Sequence, residues 1–210
     1  SESKLATAKE LGATHIVEGP TFTYGRGAHG PIETLHAAGP AHGFQTTLVP
    51  TEQVALSDLT LVGVSSSLIR WLLEHGRVAD AAKCLGRPYS LRGAVVEGAK
   101  RGRQIGFPTA NLQTTQLLPA PGVYAGRALI AGQPHRAAIS IGTNPTFHAG
   151  GGQAITVEAF LLDFHADLYG QTIELEFCRW IREMFPFAGI PQLTAQMHRD
   201  IDHTRQTITL

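Results

Sequence analysis

The sequence predicts an α+β protein in which a partial α/β segment precedes an antiparallel, strand-rich domain that ends in a helix. Three observations lead there. Helical and strand-like runs alternate up to residue 86 and then give way to strand periodicity alone. Apolar-rich runs follow in series, each bounded by glycine, proline or polar turns, which suits an antiparallel barrel or sandwich. The last stretch returns to helical spacing, with Leu193, Met197 and Ile201 four apart. A chain of 210 residues that is 43% hydrophobic and 16% charged has globular composition and can bury a full core.

Each element has a local reason. "SESKLATAKELG" at residues 1–12 reads as a polar amphipathic helix, and "ATHIVEG" at 13–19 as a strand. "PIETLHAAG" at 31–39 is a helix begun by proline and stopped by Gly39, and "QTTLVP" at 45–50 is a second strand. "SSSLIRWLLEHG" at 65–76 has serine caps, apolar Leu68, Ile69, Leu72 and Leu73, and Gly76 as its stop. "VADAAKCLG" at 78–86 is a further short helix closed by Gly86. Strands then follow in "YSLRGAVVEG", "GVYAGRALIAG", "HRAAISIG", "AITVEAFLLDF" and "QTIELEFCRWI". "PQLTAQMHRDIDHTRQ" at 191–206 opens on proline and lays one apolar stripe on the strands. The domain boundary falls between residues 1–85 and 86–210.

Composition excludes several functions. Lys plus Arg and Asp plus Glu both number 17, so no overall field draws the chain to nucleic acid or anionic lipid. Cys84 and Cys178 have neither disulfide-framework nor zinc-site spacing, which fits a reducing cytoplasm. No apolar run approaches membrane-spanning length, and the first residues lack a signal core. The 10 histidines show no His-Glu-x-x-His pattern.

Three stretches carry candidate chemistry. "YGRGAHG" places Gly25, Gly27 and Gly30 in a dinucleotide-like spacing, but "PTFTY" separates them from the preceding strand, so a flexible loop is the better reading. "EGAKRGRQIGFPTAN" sets Gly98, Gly102 and Gly106 four apart with Lys100, Arg101 and Arg103 between them. Glycines let backbone amides approach phosphate, and the cations neutralise it; a solvated hairpin loop is the competing reading. Pro108 biases Phe107 toward extended geometry, so Thr109 and Asn111, two apart, place their oxygens on one side. Hard Mg²⁺ accepts such neutral oxygens and completes its shell with water and phosphates. An Asx or Ser/Thr turn would use the same residues. Glu158 in "TVEAFLL" is a carboxylate on a strand apolar on both faces, and is either functional or a salt-bridge partner. Glu174 and Glu176 alternate with Ile173, Leu175 and Phe177 and mark a wet face.

Read together, "GRPYSLRGAVVEGAKRGRQIGFPTANL", "LPAPGVYAG", "SIGTNPTF" and "VEAFLLDFHADLYG" resemble the riboflavin kinase module of bacterial bifunctional riboflavin kinase/FMN adenylyltransferase, an FAD synthetase. The likeness spans residues 86 to 206 with every block in order. It implies a six-stranded Greek-key barrel, ATP and Mg²⁺ at Thr109 and Asn111, and a nucleotide flap around Gly98, Lys100 and Arg103. It further implies Glu158 as catalytic base and a flavin side that includes Asn111 and Arg182. The substrates implied are riboflavin and ATP, and the product FMN. "VEGPTFTYGRGAHG" and "VSSSLIRWLLEHG" resemble the later part of the adenylyltransferase module, a Rossmann-like α/β fold, with Ser65, Ser66 and Arg70 on its nucleotide-contacting motif. That module's His-x-Gly-His motif does not occur in the chain, so residues 1–85 are expected to be a vestigial half-domain. The competing expectations are a fragment of the bifunctional enzyme and a flavin- or nucleotide-binding protein without turnover.

Overall fold

The computed structural model describes residues 12, 14–24, 27, 29–98, 101–143 and 155–210. The helix expected at residues 1–12 and the flap residue Lys100 fall outside these, Gly12 excepted. The chain divides into two compact units, one running to Val54 with Leu61–Val64 and the other comprising Ala55–Thr60 and Ser65–Leu210.

The first unit is a small α/β arrangement. Strand β1 (His15–Glu18) pairs in parallel with β4 (Gln45–Leu48), and helix α1 (Ile32–Ala38) lies between them in sequence and packs on β4. Ile32 and Leu35, three apart, form its buried face. Strands β2 (Thr23–Tyr24) and β3 (Gly30–Pro31) form an antiparallel hairpin. Gly27 therefore lies in the connection of that hairpin and Gly30 opens β3, which leads directly into α1, so neither stands directly after β1 as a dinucleotide fingerprint there would need. Short strands β5 (Gln53–Ala55) and β6 (Leu61–Gly63) pair next.

The second unit includes two helices ahead of the barrel. Ser65 caps α2 (Ser66–Glu74), its hydroxyl oxygen accepting from the Leu68 amide at 3.2 Å. Helix α3 (Val78–Leu85) packs on the barrel through its last strand. Gly76 between the helices has φ +70°, and the Trp180 ring occupies the space a side chain would take, so backbone geometry and packing both require glycine. The Ala120 amide donates to the Leu73 carbonyl at 2.9 Å. Polar contacts bind residues 55–60 to the same body. Asp80, 4% exposed, accepts from the Ser57 amide and hydroxyl, each at 2.7 Å, and from Arg77 Nε and Nη2 at 2.9 and 2.7 Å. Helices α2 and α3 thus bury their apolar faces with the barrel in one compact unit.

Six strands close the barrel: β7 (Tyr89–Val96), β8 (Ala110–Gln113), β9 (Gly122–Ile130), β10 (Gln133–Thr143), β11 (Ile155–Leu161) and β12 (Thr172–Arg182). Their order is β10-β11-β8-β7-β12-β9, with β9 pairing back onto β10, and every pairing is antiparallel. Hairpins join β7–β8, β9–β10 and β10–β11, while β8 to β9 and β11 to β12 cross over, which is Greek-key connectivity. Alternate residues fill the interior, among them Val95, Tyr124, Ile139, Ile141, Leu175 and Phe177. Ile173, Leu175 and Phe177 point inward as the alternation requires. Glu176 on the opposite face is half-buried, accepting from Arg127 Nε at 2.7 Å, so that face is a paired one and not simply wet.

Helix α5 (Ile190–Thr207) packs across β9 and β10. Leu193, Met197 and Ile201 are half-buried, as the stripe predicts, but the deepest positions are Asp200 and Thr204. The Thr204 hydroxyl donates to the Asp200 carbonyl at 2.7 Å, and Asp200 binds Arg182. Among the described residues no helix is long and apolar enough to cross a membrane.

The Asp80 cluster generates an acid-stability prediction. Burial is the largest influence and opposes ionisation, but the Ser57 and Arg77 hydrogen bonds outweigh it and hold the carboxyl below its usual 3.8. A depressed native pKa contributes stability above pH 3.8 that is lost as pH falls through the native value. Asp80→Asn should cost about 2–3 kcal/mol near neutrality, because Arg77 stays partly buried without its partner. The wild-type advantage in urea unfolding should shrink below pH 4; an equal gap at pH 7 and pH 2.5 would contradict this.

Candidate active site

The site is built on one row of register partners. Asn111 on β8 stands opposite Glu158 on β11, Glu158 opposite Ser140 on β10, Ser140 opposite Val123 on β9, and Val123 opposite Arg182 on β12. Directly opposed residues share a face. The neighbours of Glu158 along its strand, Val157 and Ala159, fill the barrel interior at 3% and 0% exposure, so the row faces outward. Asn111 and Val96 of β7 are also partners, which brings the start of the glycine-rich segment to the same level.

Thr109 precedes β8 and faces Glu158, its hydroxyl donating to Oε2 at 2.9 Å. That bond uses the hydroxyl proton and leaves oxygen lone pairs for a cation or water. Gly98 lies over Asn111, and a Cβ at Gly98 would overlap the Asn111 carboxamide. The approach of the Gly98 backbone to the Asn111 side chain thus depends on the absence of a Cβ. Between Gly98 and Thr109 the chain makes a four-residue helical turn, α4 (Arg101–Gln104), and returns through the Phe107 amide, which donates to the Gly102 carbonyl at 2.8 Å. Phe107 is buried edge-on against Phe160 and His198, with ring centroids 5.7 and 5.0 Å away, and this anchors Pro108 and Thr109. A cleft of about 240 Å³ opens beside this turn, bordered by Arg103, Thr109, Phe164 and Tyr169. A smaller recess joins Gly98, Arg103, Thr109 and Asn111.

The expected Thr109, Asn111, Glu158, Gly98 and Arg103 therefore converge. Glu158 differs from expectation in one respect. Only the inward face of its strand is fully buried, and Glu158 is half-buried on the outward face beside Thr156 and Phe160. Phe160 is outward too, covered by Phe107 rather than by the barrel core. Arg182 is on the same row, three strands from Glu158, and its guanidinium binds Asp200 on α5. Ser65 serves as a helix cap, Ser66 and Arg70 are exposed, and none of the three borders either recess. Sequence reasoning did not single out Asp200 or Tyr169. Asp200 was signalled by its place: it is an acid on the buried stripe of α5.

The donor set fits a hard cation held jointly with phosphate. Thr109 Oγ1 and the Asn111 carboxamide are neutral oxygen donors on one edge, and the Glu158 carboxylate next to them supplies negative charge. Among the described residues no group of three His, Cys, Asp or Glu side chains forms a cage of its own.

Comparison with known proteins places this geometry in a family. The flavokinase model, described as riboflavin kinase, matches residues 85–208. A bifunctional riboflavin kinase/FMN adenylyltransferase of Listeria monocytogenes is 38% identical over 198 residues, covering 93% of this chain and 60% of the relative. The Bacillus subtilis protein of the same name is 38% identical over 194 residues, covering 90% and 59%. A Streptococcus pneumoniae crystal structure described as a macrolide-efflux protein superposes with TM-score 0.77 at 34% identity, covering 96% of this chain and 62% of that one. The chain belongs to the riboflavin kinase family. It spans about 60% of the length of the curated relatives it matches.

The Gly98 packing can be checked directly. Gly98→Ala should displace the Asn111 carboxamide and shift its side-chain amide resonances, while global stability changes by no more than about 1 kcal/mol. Unmoved Asn111 resonances would show that the two segments are not in contact.

Proposed function

We propose that this chain transfers the γ-phosphoryl group of ATP to the 5′-hydroxyl of riboflavin, giving FMN and ADP. The observation that carries the reading is the placement of Glu158 within hydrogen-bond reach of Thr109 and opposite Asn111, beneath Gly98. Membership of the riboflavin kinase family supports it.

Phosphoryl transfer depends on in-line placement and charge stabilisation more than on covalent chemistry. The Glu158 carboxylate accepts the proton of the 5′-hydroxyl as the oxygen bonds to the γ-phosphorus, and the bond from phosphorus to the β–γ bridging oxygen breaks, its electron pair leaving with ADP. Thr109 and Asn111 would hold Mg²⁺, which when bound neutralises charge on the phosphates. Gly98 lets the backbone approach the nucleotide, and Arg103 on the same recess adds positive charge beside it. Apolar side chains after Arg182 pack on the flavin ring. A reducing cytoplasm suits the free Cys84 and Cys178. The names and lengths of the relatives favour a second reading, that these residues form the kinase-bearing part of a bifunctional enzyme that also adenylylates FMN.

Glu158→Gln keeps shape and removes the base, so turnover should fall by about a hundredfold or more, the usual scale of general-base catalysis. Rate and thermal unfolding measured on one preparation decide the role: near-normal turnover with a lowered midpoint would make Glu158 a structural residue. Thr109→Ala removes one oxygen ligand while leaving the fold, because the side chain is at the end of a loop. It should raise the Mg²⁺ concentration needed for half-maximal rate by about tenfold, equivalent to one polar contact. An unchanged magnesium dependence would remove Thr109 from the metal site.

A further inference from the structure

Arg182 ends β12 and is the far member of the outward row. A register shift between Trp180 and Arg182 precedes it, a device that re-aims side chains beside sites. Its Nε donates to both Asp200 oxygens at 3.1 Å and its Nη2 to Oδ2 at 2.7 Å. Gln196 Nε2 donates to Asp200 Oδ1 at 2.9 Å. Asp200 is 4% exposed. A forked guanidinium on a buried carboxylate is fixed in plane as well as position. The plane of Arg182 then covers Phe185, 4.9 Å from its ring centroid, and Phe187 at 5.6 Å, while Nη1 donates to the Glu183 carbonyl at 2.9 Å. One ion pair thus organises residues 182–187.

That segment reaches toward Glu158. Met184 lies against Gly142 on β10, two residues along the strand from Ser140, the register partner of Glu158. Two residues of strand are about 7 Å. Met184 and Phe185 remain about half exposed there, at 49% and 48%, although large apolar side chains gain by being covered.

We propose that Asp200 is a positioning residue for the acceptor side of the site: from α5 it sets the Arg182 guanidinium, and through it the Met184–Phe187 segment, so that an apolar wall stands at a fixed distance from Glu158 to receive the flavin ring. The proposal rests on the riboflavin kinase reading above. Asp200 touches neither substrate. Loosening it weakens riboflavin binding and leaves the nucleotide side, built on Gly98, Arg103 and Thr109, as it was.

The test compares wild type with Asp200→Asn in steady-state FMN formation, varying riboflavin and ATP separately, with thermal unfolding on the same samples. The expected result is a riboflavin KM raised about tenfold with the ATP KM within about twofold, a split that marks lost binding on one side only. A folded variant with both KM values unchanged, or with both raised alike, overturns the proposal, because a general brace would act in those ways. Should Asp200→Asn not fold, Asp200→Glu keeps the charge and shifts the guanidinium by a methylene; a riboflavin KM raised about threefold supports the proposal and an unchanged one overturns it. Wild type that forms no FMN defeats the kinase reading and the proposal together, whereas active wild type with an indifferent variant defeats the proposal alone.

Discussion

The pairing of β8 with β11, with Asn111 opposite Glu158, is the constraint on which the site depends. A shift of one residue would exchange every side chain between the two faces of the sheet. Glu158 would then enter the interior, and Val157, Ala159 and Leu161 of the same strand would turn outward. The cost of burying an unpaired carboxylate and exposing three apolar side chains fixes the register without any contact to a ligand. The geometry of the proposed catalytic site is in this sense a product of barrel packing. Barrel closure extends the effect: the same row runs on through Ser140 and Val123 to Arg182, so the proposed nucleotide and acceptor sides share one ladder of strand pairings.

Much of this was legible because it is local. Serine before an apolar helical run, glycine after one, and serial strands bounded by turns identified α2, α3 and most barrel strands, and the two-residue spacing of Thr109 and Asn111 anticipated their shared side. The parts that escaped are non-local. Nothing in "AITVEAFLLDF" says that β11 pairs with both β10 and β8, and only that pairing separates the inward Val157 and Ala159 from the outward Glu158 and Phe160. Nor does anything local in residues 66–85 say that α2 and α3 bury their apolar faces with the barrel. Buried polar pairs were hardest to foresee. Asp80 with Ser57 and Arg77, and Asp200 with Arg182, interrupt apolar stripes, and their partners lie 3 to 23 residues away along the chain.

The stretch at residues 65–76, which belongs to the second unit, shows how a shared sequence motif can serve a local structural purpose. Ser65 satisfies an amide at the start of α2, and Gly76 admits the Trp180 ring between α2 and the barrel. Both requirements hold for these residues in this fold whatever chemistry the matching stretch performs in bifunctional relatives. The nucleotide and flavin chemistry proposed here draws on β7, β8, β11, β12 and α5, all within residues 85–208 matched by the family.

The central claim is that Glu158, Thr109 and Asn111 together transfer a phosphoryl group from ATP to a flavin hydroxyl. The most direct measurement is product analysis after incubating the 210-residue chain with riboflavin, ATP and Mg²⁺. The account predicts FMN and ADP in equal amounts, with no AMP or pyrophosphate. Riboflavin recovered unchanged while the folded chain still binds ATP, or AMP and pyrophosphate formed in place of ADP, would contradict it.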